Sequence, residues 1–541
     1  MARVVNLIIF IAELVSLIIS LNKKEKAFIY YTQISNTICM VSSLLLVIFG
    51  LKFPVELLRY TATSMLAITM LVTIFVLLPM LKTMKLFAGR NFVLHIFCPV
   101  LSILSYIFLE KHVKTYYIVL PIIITFIYGL IMIILNAKEK IKGPYPFLEV
   151  KRIGGKATAL WIVAILAFTA VISGAVGFHP GRKTDIKYIF VHGLSGYGSY
   201  DAQYEFIPYW GMTTGDVMLY LNNIGYESYA ASVDPTGSAW DRACELYAQL
   251  YGTRVDYGEE HSKRCNHARY GEDYTGKALL KDFEGSRFVL IGHSFGGATI
   301  RLFSEILVNG SKEEIAYTAD GSLSDFFKGG NGDGLVAIVT LAAPTNGTTA
   351  YDLYEDPAFD QSAIDIPEEY LKNGDTVSRN IRNKNDGRID SDHAGYDMHI
   401  DNALALNATI TTFDNVYYFA IPYVSTEEKE GGGYYPNPAI TESIFMKGAI
   451  NMASYTGYTK GGFKLDESWQ PNDGLVNTIS AGAPFGEESL AYTEDAALKP
   501  GVWYVFPTVT GDHMAPQGGL TKRVSVKPFY RKLCKMLAGL E

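Results

Sequence analysis

An apolar run that breaks at a serine sets the tightest limit on this chain. Phe288-Val-Leu-Ile-Gly-His-Ser-Phe-Gly-Gly297 passes from residues suited to a buried strand into Gly-His-Ser-Phe-Gly, and small residues follow. A strand, a sharp turn and a helix fit that order, with Ser294 at the tip of the turn. Gly292 and Gly296 flank the serine because a strained turn leaves no room for side chains. Gly297 and Ala298 let the following helix pack close behind. A bare G-x-S-x-G recurs by chance in long chains. The strand before it and the small residues after it make Ser294 a candidate nucleophile.

The rest of the chain divides sharply. Up to Phe178 it is dominated by six apolar runs, Val4–Leu21, Ala27–Leu51, Tyr60–Leu81, Phe92–Leu109, Tyr116–Leu135 and Ala159–Phe178. Each approaches the ~20 residues that cross a bilayer as a helix. The first could be taken for a signal peptide. Five more runs follow and no small-residue cleavage site is evident, so it is read as a retained helix. Residues 1–178 hold 17 basic and 6 acidic side chains, and the remainder holds 30 and 48. The basic excess sits in loops between spans, so it does not suggest nucleic-acid binding.

Loop charge gives the orientation. The loops after runs one, three and five carry Lys23, Lys24 and Lys26; Lys82, Lys85 and Arg90; and Lys138, Lys140, Lys142, Lys151, Arg152 and Lys156. Those after runs two and four carry Lys52, Arg59, Lys111 and Lys114. The positive-inside rule places the first set in the cytoplasm and the C-terminal half outside. The expected organisation is a six-helix transmembrane domain (1–178), a linker (179–185) and an α/β-hydrolase domain (186–541). Of the five cysteines, Cys244 and Cys265 are a conceivable disulfide outside the cell, but free thiols are favoured.

In the second half, Ile186–Val191 reads as a buried strand and His192-Gly-Leu-Ser-Gly-Tyr-Gly198 as the loop after it. Such a loop builds an oxyanion hole, from the N–H groups of Leu194 and of Phe295 after the nucleophile. The triad order Ser, Asp or Glu, His requires a late histidine. His513 follows the strand-like Val502–Pro507 in a Gly-Asp-His turn and is the best base. The acid must fall between the two, and Asp473 in Pro471-Asn-Asp-Gly-Leu-Val-Asn477 is one of several choices by spacing.

These residues, with Ala239-Trp-Asp-Arg-Ala-Cys-Glu-Leu-Tyr-Ala-Gln-Leu250, Val255-Asp-Tyr-Gly258, His267-Ala-Arg-Tyr-Gly271 and Tyr434-Tyr-Pro436, resemble the thermoalkalophilic bacterial lipases, the family that includes staphylococcal lipases. The resemblance runs from about Ile186 to Leu540. It implies a triad of Ser294, Asp473 and His513. It also implies a zinc site in an inserted segment around 237–275, with Asp241, His261, His267 and Asp397 as ligands. Four protein donors leave no open position, so the zinc is expected to be structural.

The chain departs from the family in three places, one of them Phe295, which replaces the polar residue usual after the nucleophile. Relatives place acidic calcium ligands just after the catalytic histidine. Here the sequence reads His513-Met-Ala-Pro-Gln-Gly-Gly-Leu520, with no carboxylate, and the calcium site is not carried over. Where relatives have an apolar lid helix, this chain is polar, as in Ile366–Asn373 and Asn380–Asp386. Esterase action on shorter or membrane-borne esters is therefore as plausible as true lipase action.

The membrane half resembles a bacterial family of six-span membrane proteins, through Tyr30-Tyr-Thr-Gln-Ile-Ser-Asn36, His95 and Pro144-Tyr-Pro-Phe147. That family is distantly similar to membrane hydrolases that use a threonine and a histidine on fatty-acid esters, for which Thr32 and His95 are the matching pair. The combined expectation is a multi-pass hydrolase of the bacterial plasma membrane, acting on lipid or other acyl esters and facing the exterior. Its rivals are a membrane receptor or transporter with an inactive hydrolase-fold sensor, and an enzyme whose chemistry lies in the membrane half. Oligomeric state is left open.

Overall fold

Seven strands form one wholly parallel sheet: β1 (Lys187–Val191), β2 (Ser228–Ala231), β3 (Phe288–His293), β4 (Leu335–Leu341), β5 (Tyr417–Ile421), β6 (Ser489–Ala491) and β7 (Trp503–Val505), in the order β6-β7-β5-β4-β3-β1-β2. The computed structural model describes residues 2–22, 27–51, 54–110, 115–142, 144–177, 182–280, 283–318, 321–356, 358–359, 390–430 and 432–540. Part of the expected linker and the polar stretch expected in place of a lid, 366–386, lie outside the described residues.

Two compact units are present, Met1–Gly181 and Arg182–Glu541. The central strands β1, β3 and β4 of the second are buried on both faces, as parallel strands covered by crossover helices are. Successive residues of β1 show this directly. Ile189 and Val191 join one apolar cluster with Leu290, whereas Tyr188 and Phe190 join the other with Val289 and Ile291. Strand alternation thus divides a continuous hydrophobic run between two cores. The unit is an α/β fold of the expected class. Three helices frame its centre: α7 (Ala239–Tyr251), α8 (Glu259–Cys265) and α9 (Gly296–Asn309).

The first unit contains six helices long and apolar enough to cross a membrane: α1 (Ala2–Asn22), α2 (Tyr31–Phe49), α3 (Val55–Leu81), α4 (Arg90–Leu109), α5 (Tyr116–Ala137) and α6 (Gly155–Val176). Its polar residues face inward and its apolar residues outward. On α1, Asn6, Glu13, Ser16 and Ser20 are buried while Leu7, Ile8 and Ile11 are exposed. Their spacing of three, four and seven puts the polar set on one helix face. This pattern suits an apolar solvent, in which a polar group gains by being enclosed.

Arg59 corrects the sequence reading. It was counted as a loop charge, yet α3 begins at Val55 and Arg59 is fully buried. It pairs with Glu110, with Nη2 donating to Oε1 at 2.9 Å. The pairing lets the helix continue through a charged position where the apolar run breaks.

Both α3 and α4 contain a π-helical turn, at Thr73–Leu77 and Val93–Phe97. Pro79 and Pro99 follow these turns. A proline removes a donor and crowds the carbonyl one turn earlier, and a wider turn relieves both.

Candidate active site

The turn between β3 and α9 lifts Ser294 to φ 56°, a left-handed conformation that a non-glycine residue adopts only when its surroundings force it. The surroundings are tight. A Cβ on Gly296 would lie 2.3 Å from the Val191 carbonyl oxygen, and one on Gly193 would lie 2.5 Å from the Cβ of Ser294. The sequence Gly-x-Ser-x-Gly is thus what allows β1, its loop and the elbow to approach one another.

Ser294 Oγ lies 2.8 Å from His513 Nε2, and His513 Nδ1 lies 2.9 Å from Asp473 Oδ2. All three side chains are buried. The other oxygen of Asp473 accepts the N–H groups of Leu475 and Val476 at 3.0 and 2.8 Å. The N–H of His513 reaches the main-chain carbonyl of Asp473 at 2.8 Å, so backbone and side chain tie the two loops together.

The loop after β1 stands beside the elbow. Among the described residues, the N–H groups of Leu194 and Phe295 take no acceptor. His192 does not enter the chemistry. Its Nδ1 lies 2.8 Å from the Gly193 carbonyl, and Nε2 accepts the Val233 N–H at 3.2 Å. Burial, helped by the Arg242 charge, pushes its pKa down to about 3, so the ring is neutral.

Three positioning groups were missed by the sequence reading. Arg242, fully buried on α7, donates from Nη2 to the His192 carbonyl, from Nη1 to the Asp234 carbonyl at 2.8 Å and from Nε to Thr299 Oγ1 at 2.9 Å. Tyr209 accepts the Gly193 N–H at 3.0 Å, and its hydroxyl lies 2.6 Å from His293 Nδ1. His293 Nε2 lies 2.9 Å from the main-chain oxygen of His513. Gly193, Tyr209, His293 and His513 thus form one chain from the loop after β1 to the loop that carries His513. Only a buried cation in the Trp-Asp-Arg segment hinted at this; the tyrosine carried no signal.

A family model described as "Lipase-like, C-terminal domain" matches residues 184–379. The lipase of Staphylococcus hyicus is 35% identical over 355 residues, which cover 61% of this chain and 53% of that protein. The crystal structure of the Staphylococcus hyicus lipase matches with TM-score 0.56 at 31% identity, covering 67% of this chain and 98% of that one. The C-terminal unit belongs to the staphylococcal lipase family. The structure of EstA from Clostridium botulinum also matches the lipase unit, with TM-score 0.56 at 31% identity, covering 65% of this chain and 87% of that one. The chain spans about half the length of the curated relatives it matches.

The lipase unit brings together side chains that could hold a metal ion, from the first turn of α7, from α8 and just past its end, and from Asp390–Asp392. His261 Nε2 lies 3.0 Å from Asp241 Oδ1 and 3.3 Å from Asp392 Oδ1, and His267 Nε2 lies 3.7 and 3.4 Å from the same two carboxylates. Donors ~2.0–2.1 Å from one zinc ion at tetrahedral corners stand ~3.3 Å apart, and the separations to Asp392, taken to one or the other of its oxygens, are of that size.

His267 Nε2 and Asp392 Oδ2 are buried without a hydrogen-bond partner. The Nδ1 of His267 meets the Ala268 carbonyl at 2.9 Å and so carries the proton, which turns the Nε2 lone pair toward a carboxylate. A cation between them resolves that opposition. Cys265 belongs to the same group, but its Sγ meets His261 at Nδ1, 3.8 Å away.

Asp397 departs from the expected ligand set. Its Oδ2 accepts the Ala239 N–H at 2.7 Å, at the first turn of α7, and burial pushes its pKa up to about 7. Asp392 stands against the histidines instead, held by Ser238 Oγ at 2.8 Å. Two aspartates five positions apart in a loop cannot be told apart by spacing.

The residues after the histidine do not fit calcium. Glu442 is a buried carboxylate beside them, and both of its oxygens accept hydrogen bonds from the 520–522 segment.

In the six-helix unit, Thr32 Oγ1 lies 3.5 Å from His95 Nε2, and His95 Nδ1 lies 2.7 Å from the Leu86 carbonyl. Thr32 also lines a pocket with Tyr31, Tyr128 and Tyr145. All five cysteines are free thiols.

Proposed function

We propose that the protein is a membrane-tethered serine ester hydrolase. The observation that carries this reading is the unbroken chain from Ser294 Oγ through His513 to Asp473, 2.8 and 2.9 Å per step. Ser294 attacks the ester carbonyl while His513 Nε2 takes its proton. Asp473 holds the imidazole in the tautomer that presents a lone pair to the serine, and stabilises the imidazolium that follows. The negative oxygen of the tetrahedral intermediate sits between the N–H groups of Leu194 and Phe295, each worth a few kcal/mol. His513 then protonates the leaving alcohol. Water, deprotonated by the same histidine, attacks the acyl-enzyme and frees Ser294.

The remaining features give this enzyme its setting. A zinc ion would be held by Asp241, His261, His267 and Asp392, with no ligand position left for substrate, so its role is to pin α7 and α8 together. The six apolar helices tether the enzyme in the bacterial plasma membrane, and loop charge turns the lipase unit outward. Its substrates are lipids or other acyl esters at that surface.

The test is turnover of p-nitrophenyl esters from acetate to palmitate by the detergent-purified chain, beside Ser294→Ala. Serine-dependent turnover is expected. The preferred chain length separates esterase from lipase action. Turnover retained in Ser294→Ala removes this reading.

A second reading rests on the Thr32–His95 contact. The Leu86 carbonyl takes the Nδ1 proton, so the Nε2 lone pair faces the threonine hydroxyl, as a general base must. His95 also sits in a π-helical turn, a frequent feature of functional sites. Labelling by a serine-directed fluorophosphonate separates the two. Loss in Ser294→Ala supports the first; persistence there with loss in Thr32→Ala supports the second.

A further inference from the structure

Glu442 lies between Tyr434-Tyr-Pro436 and the helix Met446–Ala453, and its side chain is only 2% exposed. Its Oε1 accepts three consecutive main-chain N–H groups, from Leu520 at 2.7 Å, Thr521 at 2.6 Å and Lys522 at 2.8 Å. Its Oε2 accepts the Thr521 hydroxyl. Burial alone would raise its pKa. The hydrogen bonds outweigh that and hold the carboxyl below its ordinary value, so it is ionised at neutral pH.

Three N–H donors aimed at one oxygen take up its acceptor capacity with their positive ends, so that oxygen has no lone pair left for a cation. The same residue also touches the catalytic loops. The Glu442 N–H donates to Asp512 Oδ2 at 2.6 Å, and Asp512 Oδ1 accepts the Met514 N–H at 3.0 Å, so these contacts flank His513 on both sides. Three residues on, the Phe445 ring stands edge-on to the His513 imidazole, 6.2 Å between centres. A Cβ on Gly474, next to Asp473, would lie 2.7 Å from the Phe445 Cβ. The far end of the histidine loop is closed by Val524 N–H to Gly518 O at 2.9 Å and Gly519 N–H to Met514 O at 3.0 Å.

We infer that Glu442 is a positioning residue for His513, a built-in anion that clamps the 513–522 loop and makes a calcium ion unnecessary there. The clamp sets the imidazole between Ser294 and Asp473 by fixing both ends of the loop that carries it. The inference rests on the serine hydrolase reading. A catalytic group displaced by ~1 Å costs on the order of 10²-fold in rate, so a loosened loop shows in kcat rather than in substrate binding.

The experiment uses the full chain in detergent, as wild type, Glu442→Gln and Thr521→Val. Three quantities are read: kcat and KM on p-nitrophenyl butyrate, amide exchange across 514–524, and the response of calcium-depleted protein to millimolar CaCl2. Glu442→Gln puts an amide –NH2 among donors, and is expected to lose about tenfold or more in kcat with KM within about twofold. Its 520–522 amides are expected to exchange faster. Thr521→Val is expected to show a smaller loss of the same kind, and calcium to change neither the turnover nor the melting midpoint of the wild type.

A folded Glu442→Gln with wild-type kcat overturns the inference, as does calcium activation of the wild type. Where Glu442→Gln does not fold, Thr521→Val decides, and an unchanged kcat counts against the clamp. Absence of turnover in the wild type brings down the hydrolase reading. Amide exchange then judges the clamp by itself, and unchanged protection at 520–522 rejects it.

Discussion

Asp241 and Arg242 follow one another on α7 and serve two different sites. The carboxylate of Asp241 meets His261 Nε2 at 3.0 Å in the candidate metal site, whereas the guanidinium of Arg242 holds the carbonyls of His192 and Asp234 beside the loop after β1. One helix turn therefore couples the position of the inserted segment to the loop that would bind the developing negative charge. Both residues are almost completely buried, so neither can adjust without moving the helix.

Arg242→Lys keeps the charge and loses the planar fork, so it cannot hold two carbonyls and Thr299 together. The expected result is a kcat lower by roughly 10- to 100-fold with KM little changed, because the oxyanion contact matters most in the transition state. Steady-state kinetics with metal content measured on the same sample checks this; an equal loss of metal would point to collapse of the helix instead.

The metal ligand is decided between Asp392 and Asp397. Asp392→Asn is expected to lose bound zinc, and Asp397→Ala to retain it while losing about 1 kcal/mol with the acceptor of the Ala239 N–H. Elemental analysis of the two variants, with a melting curve for each, separates the roles. Zinc kept in the first and lost in the second reverses the assignment.

Asp473→Asn leaves the geometry nearly intact but removes the acceptor that fixes the His513 tautomer. Turnover should fall by roughly 10³- to 10⁴-fold. Fluorophosphonate labelling of Ser294 should slow in parallel, which a pre-steady-state gel assay measures directly.

Burial pushes the Asp512 carboxyl up to about 7, against ~3.9 in an unfolded chain. Between those values the folded state holds the proton more tightly than the unfolded state. This residue's contribution to stability is therefore fully present below ~4 and is lost as pH rises toward 7. The melting midpoint of the wild type relative to Asp512→Asn should fall across that window, whatever the offset between the two proteins. A difference independent of pH would show that Asp512 is ionised throughout.

Local sequence determined a great deal here. The six helices long and apolar enough to cross a membrane were legible because each is a long apolar run. The elbow was legible because a strained turn admits only small neighbours around Ser294. Strand alternation in Tyr188–Val191 was not visible as such, since a parallel strand covered on both faces reads as uniformly apolar.

What only the tertiary structure decided were the contacts between distant, chemically ordinary residues. Arg59 looked like a loop charge until Glu110, 51 positions away, was found against it. Asp392 and Asp397 were equivalent by composition, and the difference between a metal-facing carboxylate and a helix cap is a matter of which one the loop turns toward His261. Tyr209 and Glu442 belong to no motif, because a hydrogen bond to the main chain needs a place in space and no particular neighbour in sequence. Periodicity and steric limits act along the chain and can be read there. Electrostatic and hydrogen-bond pairing acts through space, and the fold alone brings those partners together.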